Sequence, residues 1–214
     1  EKADRGLAPA DYVLKRPLSP FAEAFRTLRA AILHSRPGRK VQVAALCSAL
    51  PDEGKSTTAL SLARISALAG GRVVLVDCDL RRRAVARMLR IEPDLGLLEV
   101  LEGSATLEAA LRLDEGSGAW VLPLARGGAT SRDVLGGAEM EAVTARLRET
   151  FDLVILDTPP LLATSEARVL AARADAAVLL ARWRRTPDRV AASALRMLEH
   201  SGAAAVGVVL TQVD

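Results

Sequence analysis

The segment Pro51-Asp52-Glu53-Gly54-Lys55-Ser56-Thr57 sets a glycine, a lysine and a hydroxyl side by side, after a short apolar run and before a long helical pattern. That order suits an oxyanion. Successive backbone N–H groups and a helix N-terminus surround phosphate oxygens, Lys55 reaches them with its ammonium, and the Ser56 hydroxyl is a ligand for Mg2+. The loop extends back through Ser48, Ala49 and Leu50. Ala49 stands where the G-x-x-x-x-G-K-[ST] pattern has its first glycine, and Asp52 belongs to the residue types that tolerate left-handed backbone. A Gly-Lys-Ser triplet alone has little specificity, so its context decides.

Two carboxylate sites supply that context, each ending an apolar run. Val73-Val74-Leu75-Val76 leads into Asp77-Cys78-Asp79-Leu80-Arg81, and Val154-Ile155-Leu156 leads into Asp157-Thr158-Pro159-Pro160, which resembles a Walker B strand. An Asp at a strand end can hold Mg2+ directly or through water, and a neighbouring carboxylate can take the proton of an attacking hydroxyl. Taken singly, each Asp is equally a turn former or a helix cap. Together with the loop they point to chemistry on ATP with Mg2+.

The elements that must position these groups show in the hydrophobic pattern. Val41–Cys47, Arg72–Asp77, Trp120–Leu124, Asp152–Leu156, Ala176–Ala181 and Ala205–Leu210 are apolar runs without polar alternation, as strands buried on both faces of a parallel sheet require. Helical patterns lie between them, at 56–69 closed by Gly70-Gly71 and at 138–149. The alternation predicts an α/β fold, a doubly wound and mostly parallel sheet flanked by helices, with ligands at the carboxyl ends of the strands. Ser19-Pro20 starts a further helix over 20–34, with Phe21, Phe25, Leu28 and Ile32 on one stripe and Glu23, Arg26 and Arg29 expected opposite. Residues 1–19 mix charge with Pro and Gly and are expected to form a weakly ordered arm, leaving 20–214 as the domain. Gly127-Gly128 to Gly136-Gly137 brackets a loop that suits either a mobile segment over the site or a surface connection.

Composition narrows the class. The 214 residues are 50% hydrophobic and 26% charged, with no low-complexity tract, which sets aside disorder and fibrous classes. Aromatics are only 3% and the net charge is +3, so stacking platforms and a DNA-coating surface are excluded and no nucleic-acid partner is expected. Cys47 and Cys78 form no disulfide framework or zinc spacing and read as buried thiols. No apolar stretch approaches the roughly 18 to 20 residues of a membrane span. The opening Glu1-Lys2 is expected to be an internal cut in a longer protein.

With these residues in place, the chain resembles the bacterial tyrosine kinases of capsule and exopolysaccharide synthesis. Ser48–Thr57 looks like that family's Walker A, Asp77, Asp79 and Arg81 match its D-x-D-x-R Walker A′, and Asp157 and Pro160 match its Walker B. Glu23, Arg26 and Arg29 match its E-x-x-R-x-x-R oligomerisation motif. The resemblance implies an ATP- and Mg2+-dependent tyrosine autokinase at the cytoplasmic face of the bacterial inner membrane. It implies a ring-like homo-oligomer, a membrane chain-length regulator fused upstream or separate, and a cognate tyrosine phosphatase. By the same analogy Lys55 and Arg81 stabilise phosphate charge, Ser56 and Asp157 position Mg2+ with Asp77 as a further ligand, and Asp77 or Asp79 activates the tyrosine. Thr211 stands where the family often has an Asn beside the adenine. The tyrosine-rich tail of the family is not in this chain, whose single tyrosine is Tyr12. Two other readings remain at this point. One is an ATPase switch like the cell-division and partition proteins, which carry a signature lysine where this chain has Leu50; the other is an ATP-binding scaffold without kinase activity.

Overall fold

The computed structural model describes residues 7–126 and 134–213, so Gly127 and Gly128 of the glycine-bracketed loop lie outside it. Among these residues seven strands form one sheet: β1 (Val43–Ser48), β2 (Val73–Asp77), β3 (Arg112–Asp114), β4 (Ala119–Leu122), β5 (Leu153–Asp157), β6 (Ala176–Arg182) and β7 (Ala205–Thr211). The order is β3-β4-β2-β5-β1-β6-β7, parallel throughout except for the antiparallel β3–β4 pair. β1, β2 and β5 are buried along their whole length, which is why their sequences show no alternation. β3 escapes sequence reading because it is three half-exposed residues on the sheet edge.

The helices are α1 (Pro9–Lys15), α2 (Pro20–Leu33), α3 (Lys55–Leu68), α4 (Ala84–Leu89), α5 (Leu97–Leu101), α6 (Leu107–Ala110), α7 (Ala138–Thr150), α8 (Glu166–Arg173) and α9 (Asp188–His200). α3 lies between the sheet and the pair α1 and α2, and is buried on nearly every side. The part of the arm expected to be weakly ordered therefore has a docked helix in it. Ala10 and Val13 of α1 are buried, and Arg64 of α3 donates to the Ala10 carbonyl, to Asp11 and to Asp114.

α2 begins as its sequence predicts, with the Ser19 hydroxyl accepting the Ala22 N–H at 3.2 Å and Pro20 in the first turn. Three of the four stripe residues meet the core as expected, Leu28 from a half-buried position. Ala22, Phe25 and Ile32 are buried, whereas Phe21 is exposed. Glu23 and Arg26 face solvent and pair with each other at 2.9 Å, as expected of the outer face. Arg29 does not lie opposite the core: it is one turn on from Phe25, is half-buried, and its Nε is enclosed without a hydrogen-bond partner among the described residues.

Candidate active site

β1, β2 and β5 run in register and end together. Leu46 of β1 pairs with Asp157, and Asp157 pairs in turn with Asp77 of β2. Parallel register thus brings residues 80 positions apart next to the loop that follows β1. In that loop Asp52 takes φ 62°, as its residue type allows, and Gly54 takes φ 83° at the N-cap of α3. The turn delivers Lys55 and Ser56 into the first turn of α3, with their backbone N–H groups at the positive end of the helix.

The loop is held from within and from outside. The Glu53 carboxylate, 2% exposed, accepts the Leu50 N–H at 2.7 Å with one oxygen and the Thr186 hydroxyl with the other. The Glu53 carbonyl accepts from Thr211 Oγ1 at 2.8 Å, and Gln212 Nε2 donates to the Asp52 carbonyl. Thr211 therefore secures the loop. It lines an adjoining apolar cleft with Phe21, Phe25 and Leu210, which shares Gly54, Thr57 and Gln212 with the phosphate cleft. Lys55 is buried and donates to Ser48 Oγ at 2.9 Å, which itself donates to the Leu50 carbonyl.

A cleft of about 380 Å³ opens beside this loop, lined by Asp52, Gly54, Lys55, Ser56, Thr57 and Asp79 from the expected set. Ser48, Ala49, Leu50, Pro51 and Glu53 shape the loop without lining the cleft. Arg81 is exposed and does not line it either; Arg82, next along, does, and pairs with Asp52. That guanidinium holds the Asp52 carboxyl below its usual range. Arg87 of α4, Arg182 at the end of β6 and Gln212 complete the wall. Arg87 and Gln212 carried no sequence signal of a site, and Arg182 carried only that of an arginine run, which fits a partner surface or a solvated face.

Next to the loop lie two carboxylates on adjacent strand ends, Asp77 and Asp157. Burial, with Asp157 beside it, pushes Asp77 well above the carboxylate range, although its oxygens accept the Asp79 and Val85 N–H groups. Burial pushes Asp157 up to about 6, offset by Ser56 and Lys55. Both Asp157 oxygens are enclosed without a hydrogen bond of normal length; the Ser56 hydroxyl is near enough to act on its charge but not to bond. Two orphaned carboxylate oxygens beside a hydroxyl fit a hard divalent cation. No group of three or more His, Cys, Asp or Glu is arranged for a metal among the described residues, so an ion here would complete its shell with phosphate and water, as Mg2+ does. Cys47 and Cys78 are fully buried and their thiols are pushed up, Cys47 to about 11, so they are unreactive.

A family model described as ATPase MipZ matches residues 48–180, so the core that carries the loop and both carboxylate strands is that of a MipZ-type ATPase. The tyrosine-protein kinase YwqD of Bacillus subtilis is 31% identical over 92% of this chain and 83% of its own length. The chain belongs to the bacterial tyrosine kinases. The kinase domain is also 33% identical to the succinoglycan biosynthesis transport protein ExoP of Rhizobium meliloti, over 94% of this chain but 26% of ExoP. It superposes on the kinase domain of Escherichia coli tyrosine kinase ETK with a TM-score of 0.87, covering 95% of this chain and 81% of that one at 25% identity. Among the described residues no helix of the kinase domain is long and apolar enough to cross a membrane.

Proposed function

We propose that this domain transfers the γ-phosphoryl group of ATP to a tyrosine hydroxyl, in the service of exopolysaccharide or capsule synthesis and export at the cytoplasmic face of the inner membrane. The observation that carries the reading is the convergence of Lys55, Ser56 and Asp79 on one cleft above the orphaned Asp157 carboxylate. The loop N–H groups and the start of α3 bind the phosphates, and Lys55 exchanges its Ser48 partner for phosphate oxygens. Ser56 and Asp157, with Asp77 behind them, would hold Mg2+, which neutralises charge on the β- and γ-phosphates when bound. Asp79 is the carboxylate on the cleft wall, so it is the residue placed to take the tyrosine proton as the phenolic oxygen bonds to γ-phosphorus. The bond from γ-phosphorus to the bridging oxygen breaks, and ADP leaves with the electron pair. Asp77, with both oxygens bonded to backbone, orients this segment.

The acceptor is a tyrosine other than Tyr12. Tyr12 sits on α1, its ring edge against Phe21 at 5.8 Å, on a helix clasped by Arg64. Glu23 and Arg26 on the solvent face of α2 are the residues for contacts between subunits of a ring, with Arg29 acting from a half-buried position. A membrane chain-length regulator and a tyrosine phosphatase are the expected partners.

The ATPase-switch reading draws on the MipZ match, and it fails on Leu50. That position carries an apolar side chain packed on the core, with its N–H and carbonyl both bonded inside the loop, so it offers no cation in place of the signature lysine. Incubation with Mg2+, γ-labelled ATP and a tyrosine-containing peptide, read by phosphotyrosine mass spectrometry, tests the proposal. Lys55→Met should abolish labelling with the circular dichroism spectrum unchanged. Phosphate release without phosphotyrosine would return the switch; binding of ATP without either would leave a scaffold.

A further inference from the structure

Nine of the chain's 25 arginines fall in two short segments, Arg81, Arg82, Arg83, Arg87 and Arg90 in one and Arg182, Arg184, Arg185 and Arg189 in the other. The first segment, 80–91, contains no acidic residue; the second contains only Asp188. The fold sets them on two walls of the same cleft. Arg82 and Arg87 line one wall from the A′ turn and α4, and Arg182 lines the other from the end of β6. Arg90 ends α4, and Arg185 closes the turn that Arg182 opens, its N–H donating to the Arg182 carbonyl at 3.1 Å. Arg82 is paired with Asp52. Arg81, Arg87, Arg90, Arg185 and Arg189 are exposed, and among the described residues no carboxylate lies within ion-pair distance of any of them.

Asp52 offsets Arg82 and lies close enough to Arg182 to feel its charge, but Arg81, Arg87, Arg90, Arg185 and Arg189 repel one another with no ion pair among the described residues to offset it. The phosphates of a nucleotide account for the cations that line the cleft. They do not account for Arg90, Arg185 and Arg189, which are exposed, do not line the cleft, and follow closely in the chain on the arginines that do. Any chain that brings a hydroxyl to γ-phosphate must pass the band of arginines on the two walls. We propose that the acceptor tyrosine is presented in an acidic polypeptide segment, whose Asp and Glu side chains pair with the arginine band on both sides of the cleft. Guanidinium forks match carboxylates in bidentate geometry, which suits an extended peptide better than a bilayer surface, since a bilayer cannot follow the chain into a cleft. The inference rests on the tyrosine-kinase reading and names its substrate class.

The test uses the whole chain with Mg2+ and ATP and three peptides, each with one tyrosine flanked by glutamates, glutamines or lysines. The glutamate peptide should have a KM about tenfold below the glutamine one at low ionic strength, from several modest exposed pairs, and the gap should close in high salt. Arg90→Ala combined with Arg185→Ala should remove the gap while the KM for ATP and the peptide-free turnover stay as they were. Equal KM values for the first two peptides, or a gap that survives the double variant, would overturn the proposal. So would a double variant that loses only its binding to phosphatidylglycerol vesicles. If no peptide is phosphorylated while ATP is hydrolysed, the kinase reading fails instead. Fluorescence anisotropy of the same peptides then decides the docking proposal, with glutamate-selective, arginine-dependent binding supporting it and equal binding refuting it.

Discussion

Glu53 is a buried carboxylate inside a loop built for anions, and its partners explain why it is tolerated there. One oxygen satisfies the Leu50 N–H and the other takes the Thr186 hydroxyl, so its charge is directed away from the cleft, into the loop and the turn after β6. Glu53→Ala leaves the Leu50 N–H without its acceptor, at about 1 to 3 kcal/mol. It also frees the loop from the β6 turn, so the KM for ATP should rise more than kcat falls. Glu53→Gln keeps one acceptor oxygen and should recover most of the difference in steady-state kinetics. An unchanged KM in the Ala variant would show that Glu53 serves stability alone. The local meaning of Lys55 and Ser56 was legible because adjacent residues carry the whole signal. Glu53 was not, since its second partner lies 133 positions away.

At the scale of elements, α1 owes its place to one buried cation. The Arg64 side chain is 5% exposed and faces Asp114 and Asp11, which are 9% and 28% exposed. Arg64→Ala would strand Asp114 in the interior and should lower stability by about 3 to 5 kcal/mol in urea unfolding. Asp11→Ala should cost less, because water reaches that carboxylate, yet both variants should raise amide exchange in α1. Loss of stability without faster exchange in α1 would assign Arg64 to the sheet edge only. The chain pattern showed α2 and its start, where a cap, a proline and an apolar stripe coincide. It showed neither the docking of α1 nor the inward position of Arg29. An amphipathic stripe about 100° wide does not say which of its edges meets the neighbouring helix, and α3 makes that choice.

At the scale of the whole molecule, the sheet register forces Asp77 and Asp157 together and makes stability depend on pH. Each has a native pKa above the 3.8 of the free group, so the native state keeps a proton that the unfolded chain releases. Without nucleotide or metal, the pair destabilises the fold as pH rises: the Asp157 contribution grows from about pH 4 to about pH 6, and that of Asp77 continues beyond it. Asp157→Asn removes one charge, so the metal-free variant should be more stable than the parent at pH 7, by about 3 kcal/mol, because the carboxyl is pushed up to about 6 from 3.8. The gap between variant and parent should shrink towards pH 4 in thermal melts. A variant no more stable than the parent at pH 7 would mean that Asp157 is already compensated.

By itself the sequence determined the fold class, six of the seven strands, the phosphate loop and the strand-end carboxylates, because each is written in contiguous residues as a run, a turn or a cap. The tertiary structure alone decided the β3 edge, the cleft wall of Arg82, Arg87 and Arg182, and which Asp faces the cleft. Those depend on strand order and on which side of a turn a side chain leaves, and both are settled by packing between distant segments.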